Sequence, residues 1–121
     1  MHHQHFSFES GAFAQVSAHE GTGRIHTRRV LDLEDRSAFQ FIDLTQIPPG
    51  SSIGLHTHAD DEEVYVIISG RGSMTLDGET FEVGPGHVIR NRPGGTHGLV
   101  NSGRELLTMV VLDVASDSHR S

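Results

Sequence analysis

Apolar and polar residues alternate along this chain in short runs, and the runs are broken at regular intervals by glycine and proline. The segments with alternating or β-branched character are RIHTRRVL (24–31), AFQFIDLTQI (38–47), EVYVIIS (63–69), GSMTL (72–76), TFEV (80–83), HVIRN (87–91), HGLVN (97–101) and ELLTMVVLDV (105–114). Between them stand turn signals: GTG at Gly21, IPPGSSIG from Ile47, SGRG from Ser69, VGPG from Val83, RPGG from Arg92 and NSG from Asn101. Short strands at this spacing predict an all-β, antiparallel sandwich or barrel. Asp77-Gly78, between GSMTL and ETFEV, predicts a hairpin, because Asp-Gly suits the left-handed backbone of a type I′ turn.

No stretch keeps a helical period over three turns. The nearest, VLDLEDRSA (30–38), is short and sits where a loop would serve. There is no internal repeat and no linker. The expected organisation is one barrel domain over residues 21–114, a flexible segment over 1–20 and a flexible polar tail over 115–121.

Composition narrows the function. The chain has 121 residues, long enough to bury a core without staples. It has no cysteine, which excludes disulfides, thiolate zinc sites and cysteine nucleophiles. Net charge is −7 with no basic cluster, which argues against nucleic acid as a partner. No apolar run approaches the roughly 20 residues of a membrane span, and no apolar signal core opens the chain. The expectation is a soluble cytoplasmic protein with no membrane partner.

Ten histidines are many for this length. His2, His3 and His5 crowd the start and read as part of a disordered beginning. His56 and His58 are different. On a strand they project to the same side, roughly 7 Å apart by the rise per residue, so two imidazoles can converge on one ion. An acidic run, ADDE, follows and reads as a turn. On the next strand Glu63, Tyr65 and Ile67 share one face. His97 opens a later strand after the glycine turn RPGGT. Three imidazoles and one carboxylate suit a divalent first-row metal such as iron, manganese, zinc or nickel, and leave room for a further ligand.

Here the sequence resembles a known family. Gly50-SSIGL-His56-Thr57-His58-ADDE-Glu63-VYVIIS-Gly70 resembles the first motif of the cupins without a gap. Gly84-Pro85-Gly86-His87-Val88-Ile89 and Pro93-Gly94-Gly95-Thr96-His97-Gly98-Leu99-Val100-Asn101 are similar to the second, with one residue fewer between Gly95 and His97 than the family's usual spacing. The resemblance covers about Ile47 to Val114. It implies a double-stranded β-helix, or jelly-roll, barrel with His56, His58, Glu63 and His97 holding one metal ion. It also implies a homodimer, in which N-terminal strands pair with a second subunit.

Several positions carry two readings. Glu62 competes with Glu63 as the carboxylate ligand, although Glu63 fits both the gap to Gly70 and the strand parity. Tyr65 is either a core aromatic or a proton donor beside the metal, and Glu62 is a second candidate to move a proton. Arg90 and Arg92 either hold an anionic substrate inside the barrel or point to water. His19, His26 and His87 read as surface or supporting residues, and Asp60 and Asp61 as a solvated turn. The resemblance implies a small-molecule substrate. Three functions follow from it: an iron-dependent oxygenase, a redox-neutral sugar isomerase, epimerase or lyase using the same site, and a non-catalytic binding module. Apolar walls expected for the first are Ile53, Ile67, Met74, Leu99 and Met109.

Overall fold

The computed structural model describes residues 4–115. The histidines at positions 2 and 3 and the polar tail from residue 116 lie outside the described residues. Ten strands run β1 (Ala14–Val16), β2 (Ile25–Asp32), β3 (Phe41–Ile47), β4 (Ser52–Thr57), β5 (Asp61–Ser69), β6 (Gly72–Leu76), β7 (Glu79–Val83), β8 (Val88–Asn91), β9 (Thr96–Val100) and β10 (Leu107–Ala115), with one 3-10 turn at Leu33–Asp35. All the strand pairings are antiparallel. They form a six-stranded sheet in the order β1-β2-β3-β10-β5-β8 and a four-stranded sheet in the order β4-β9-β6-β7. Two antiparallel sheets facing each other across one core make the double-stranded β-helix.

The period-2 pattern decides which side chains enter that core. On β5 Glu63, Tyr65 and Ile67 are buried, alternating with less buried Val64, Val66 and Ile68. β10 buries Leu107, Met109 and Val111 against them, and the other sheet adds Ile53, Met74, Val83 and Leu99. Several of these are fully enclosed, and burying each such side chain contributes about 1.5–3 kcal/mol. Of the apolar walls expected around a substrate, Ile67, Met74, Leu99 and Met109 are therefore core.

Turn chemistry closes the strands where the sequence placed it. Asp77 and Gly78 carry φ of 50° and 89°, the left-handed pair that a type I′ hairpin needs. Gly70, which ends β5's motif, has φ 83°, and a Cβ there would lie 2.4 Å from the Leu106 carbonyl oxygen. Only glycine allows β10 to pass so close.

The N-terminal expectation needs correcting. β1 lies inside the stretch read as flexible and pairs with β2 through Ala14↔Thr27, Gln15↔His26 and Val16↔Ile25. Ala18 then bridges to Ile53 on β4. A three-residue strand in polar surroundings has no period of its own; pairing to β2 is what orders it.

Candidate metal centre

Three strands bring the three histidines and one glutamate together. β4 carries His56, and His58 follows just past its end. β5 carries Glu63, and β9 carries His97 directly opposite His56. The ligating atoms of His56, His58, Glu63 and His97 all lie within 4.8 Å of one another. Glu63 Oε1 stands 3.4 Å from His97 Nε2 and 3.5 Å from His58 Nε2. His97 is fully buried and Glu63 nearly so.

The rings are aimed by their other nitrogens. His56 Nδ1 donates to the Gly54 carbonyl at 2.8 Å, which leaves Nε2 facing the cluster. His58 Nδ1 lies 2.7 Å from Asp61 Oδ2, and its Nε2 is buried with no hydrogen-bond partner. A buried polar atom without a partner costs about 1–3 kcal/mol. An imidazole nitrogen left unpaired among two other imidazoles and a carboxylate is what a divalent ion would satisfy, so the residues fit a metal. Burial, with help from the neighbouring histidines, lowers the His56 pKa to about 4, so this ring is neutral at pH 7 as ligation requires.

Asp61 sits here as a supporting residue, where the sequence suggested only a solvated turn. Its carboxyl meets that of Asp113, which is fully buried and accepts from Gln40 Nε2 at 2.7 Å. Burial first, then Asp61, raises the Asp113 pKa to about 7. A carboxyl whose folded pKa lies above its unfolded value stabilises the fold below the unfolded value, near 3.8, and loses that contribution as pH rises to about 7. Asp113→Asn in metal-free protein is therefore expected to raise Tm at pH 8 by several degrees and to change it little at pH 4. Thermal melts at the two pH values measure this, and an equal shift at both removes the account.

Tyr65 is buried and its ring meets His97 edge-on at 5.8 Å. Burial and the Glu63 charge, to which its hydroxyl is hydrogen-bonded, push its pKa well up, so it is a phenol. Tyr65 is thus a core aromatic whose hydroxyl lies beside Glu63. Glu62, on the opposite face of β5, pairs with Arg90 at 3.0 Å outside the barrel. Arg92 pairs with Asp77 at 3.5 Å, also exposed. These three are not brought to the cluster. The reason is parity: Val64 and Arg90 are cross-strand partners, and Val64 faces away from Glu63. His26 lies on β2 at the pairing with β1, and His87 is exposed.

A cavity of about 200 Å³ opens beside the cluster. Ile53 lines it, as expected for an apolar wall, together with Val16, Ile25 and Val111. Arg29, which sequence reasoning passed over, also lines it, as does His19, read from the sequence as a surface or supporting residue. The His19 ring stacks on His56 with centroids 3.5 Å apart and planes 6° from parallel. Its backbone is left-handed, at φ 51°. It reaches this place because the strap from β1 lies directly on β4, with Gly54 N–H donating to the Ala18 carbonyl at 3.0 Å. Parity could have found Arg29, since Ile25, Thr27 and Arg29 share the face of the one buried β2 residue. No local signal marks His19.

Comparison with known proteins agrees with this architecture. A cupin domain model matches residues 43–114. An uncharacterized protein of Methanocaldococcus jannaschii is 41% identical over 73 residues, which are 60% of this chain and 58% of that protein. The oxalate-binding protein of Thermotoga maritima is 34% identical over 70 residues, 55% of this chain and 58% of that one. The matches thus span about three fifths of these relatives. A crystal structure from Thermotoga maritima, described as a predicted oxalate decarboxylase, superposes with TM-score 0.83 at 25% identity, covering 86% of this chain and 92% of that one. The Cnp3 cupin domain of Schizosaccharomyces pombe gives TM-score 0.79 at 16% identity, covering 96% of this chain and 76% of that one, a likeness of fold. With the matched domain spanning both motifs and every cluster residue, the chain belongs to the cupin family.

Proposed function

We propose that this chain is a metal-dependent enzyme acting on a small oxygenated metabolite, with iron-dependent oxygenase chemistry as the leading reading. The observation that carries it is the meeting of four converging ligand groups with a cavity of about 200 Å³. Structural metal sites tend to be closed by protein on all sides, whereas this one has ligand space beside it. A divalent ion held there would supply Lewis acidity to a ligand oxygen. The chain's own residues do the rest. Val16, Ile25, Ile53 and Val111 keep water from that side of the cavity, which shields reactive species and favours oxygen chemistry. Tyr65 fixes Glu63 by hydrogen bonding to it.

A redox-neutral lyase or isomerase is the second reading. Thr27, Arg29 and Thr45 give the same cavity a polar side, and two of the similar proteins carry oxalate in their names. Turnover of small diketones, phenols and oxo-acids by freshly purified protein separates the readings. Under strict anaerobiosis the leading chemistry stops completely; activity indifferent to oxygen selects the second. A fully metal-loaded chain that turns over nothing would make it a binding module.

A homodimer and a cytoplasmic location belong to the same proposal. Val66, Ile68 and Val88 put an apolar patch on the outer face of β5 and β8, with Val88 65% exposed, which supports a partner copy. Among the described residues no helix is long and apolar enough to cross a membrane.

A further inference from the structure

The cavity beside the metal centre has a second polar end, formed by Arg29, which lies outside the matched domain, and Asp43 at its edge. Tyr65 on β5 faces Val111 on β10, which faces Asp43 on β3, which faces Arg29 on β2. All four side chains line the cavity, so one row of the sheet runs from beside Glu63 to the Arg29 guanidinium. Arg29 is held on two sides. Its Nε and Nη2 donate to the two Asp43 oxygens at 2.9 and 3.1 Å, and its guanidinium carbon lies 4.0 Å from the centre of the Phe41 ring. A side chain fixed this way has already lost its rotamer freedom, so a ligand need not order it.

Two of the five guanidinium donors are spent on Asp43, and the remaining N–H groups stay in their rigid fork, about half exposed at the mouth. Asp43 balances the charge of Arg29, so the pair attracts through directed donors more than through net charge. Positive charge for an anion comes from the other end, where a divalent ion against the single carboxylate Glu63 leaves an excess. A ligand that satisfies both ends needs an oxygen group at the centre and a planar oxygen pair at the fork. Arg90 and Arg92 offer neither, being paired outside the barrel.

We propose that Arg29 anchors a carboxylate at the end of the ligand away from the metal centre, so the substrate is a small dicarboxylate or oxo-carboxylate. This rests on the metal-dependent reading above and names the substrate class for it. Ligand size follows from the cavity, which holds only a few carbons beyond the two oxygen groups.

The test uses the full chain loaded with manganese, first titrated alone and then with acetate, oxalate, malonate and succinate by calorimetry. Acetate can satisfy one end only. At least one dicarboxylate should bind ten times more tightly than acetate. Arg29→Gln should remove that tenfold preference while leaving acetate and manganese binding unchanged. Arg29→Lys keeps the charge and loses the fork, and should lose most of the preference as well; it also serves if the glutamine variant melts early. Asp43→Asn, which frees donors on Arg29, should keep or increase the preference. Unchanged dicarboxylate binding in both Arg29 variants overturns the anchor and leaves the metal reading standing, as does a wild type that holds acetate equally well. Failure in the first titration, with no manganese bound, overturns both.

Discussion

His58→Ala is expected to take bound metal from about one ion per chain to background. The measurement is elemental mass spectrometry on protein trimmed past Phe6, so that the histidines in MHHQH cannot contribute. Loss of a residue that merely supports a ligand typically costs about 10–100-fold in metal affinity, and loss of a ligand costs more. His58 shows both of the properties that make a ligand. Its Nδ1 is committed to Asp61, and its Nε2 is buried without a partner among His56, His97 and Glu63. Alanine leaves two imidazoles and one carboxylate around a widened space. One full equivalent of metal retained in the variant would end the ligand assignment, and with it the proposed chemistry.

Gly54→Ala should damage the same site from a distance. A Cβ at this position would lie 2.1 Å from the His19 carbonyl oxygen, and one at Gly21 would lie 2.3 Å from the Ser52 carbonyl oxygen. Backbone cannot give way as a flexible side chain can. The strap must therefore lift from β4, taking the His19 ring off His56. Overpacking of this kind costs about 1–3 kcal/mol, or several degrees of Tm in a domain of this size. Amide hydrogen exchange should rise at Ala18 to Thr22 while β5 and β10 stay protected. An unchanged melting point with unchanged exchange would show that the strap is not seated on β4 as described. Metal content should stay near one per chain, because none of the four ligands sits on the strap.

The contrast between these two substitutions follows how much of each feature could be read from the residues. His56, His58, Glu63 and His97 could be named because their types and spacing resemble the cupin motifs, and that resemblance implies the set. Alternation sets Glu63, Tyr65 and Ile67 on one face, and burial of all three matches it. The choice of Glu63 over Glu62 rested on the same parity, and the pairing of Glu62 with Arg90 on the far face agrees. Arg90 and Arg92 carried two readings that the residues alone left open: the face of a short strand between two turns is set by its neighbour's register, and β8, which carries Arg90, is registered to β5. His19 was out of reach, because its position depends on a strap that has no hydrophobic period and docks through two glycines.

Local residue order thus determined most of the elements, their turns and the antiparallel β class, while the resemblance to the cupin motifs implied the four residues that meet at the centre. The elements and turns follow from period-2 alternation and from left-handed turn positions, both of which act over a few residues. Tertiary structure alone decided what surrounds that centre: the cavity, the inward Arg29 with Asp43, the Asp61 and Asp113 carboxyls behind His58, and His19 over His56. Each of these is a contact between strands far apart in the chain. Such contacts are set by sheet register and by how closely two backbones approach, and no short stretch of sequence carries either.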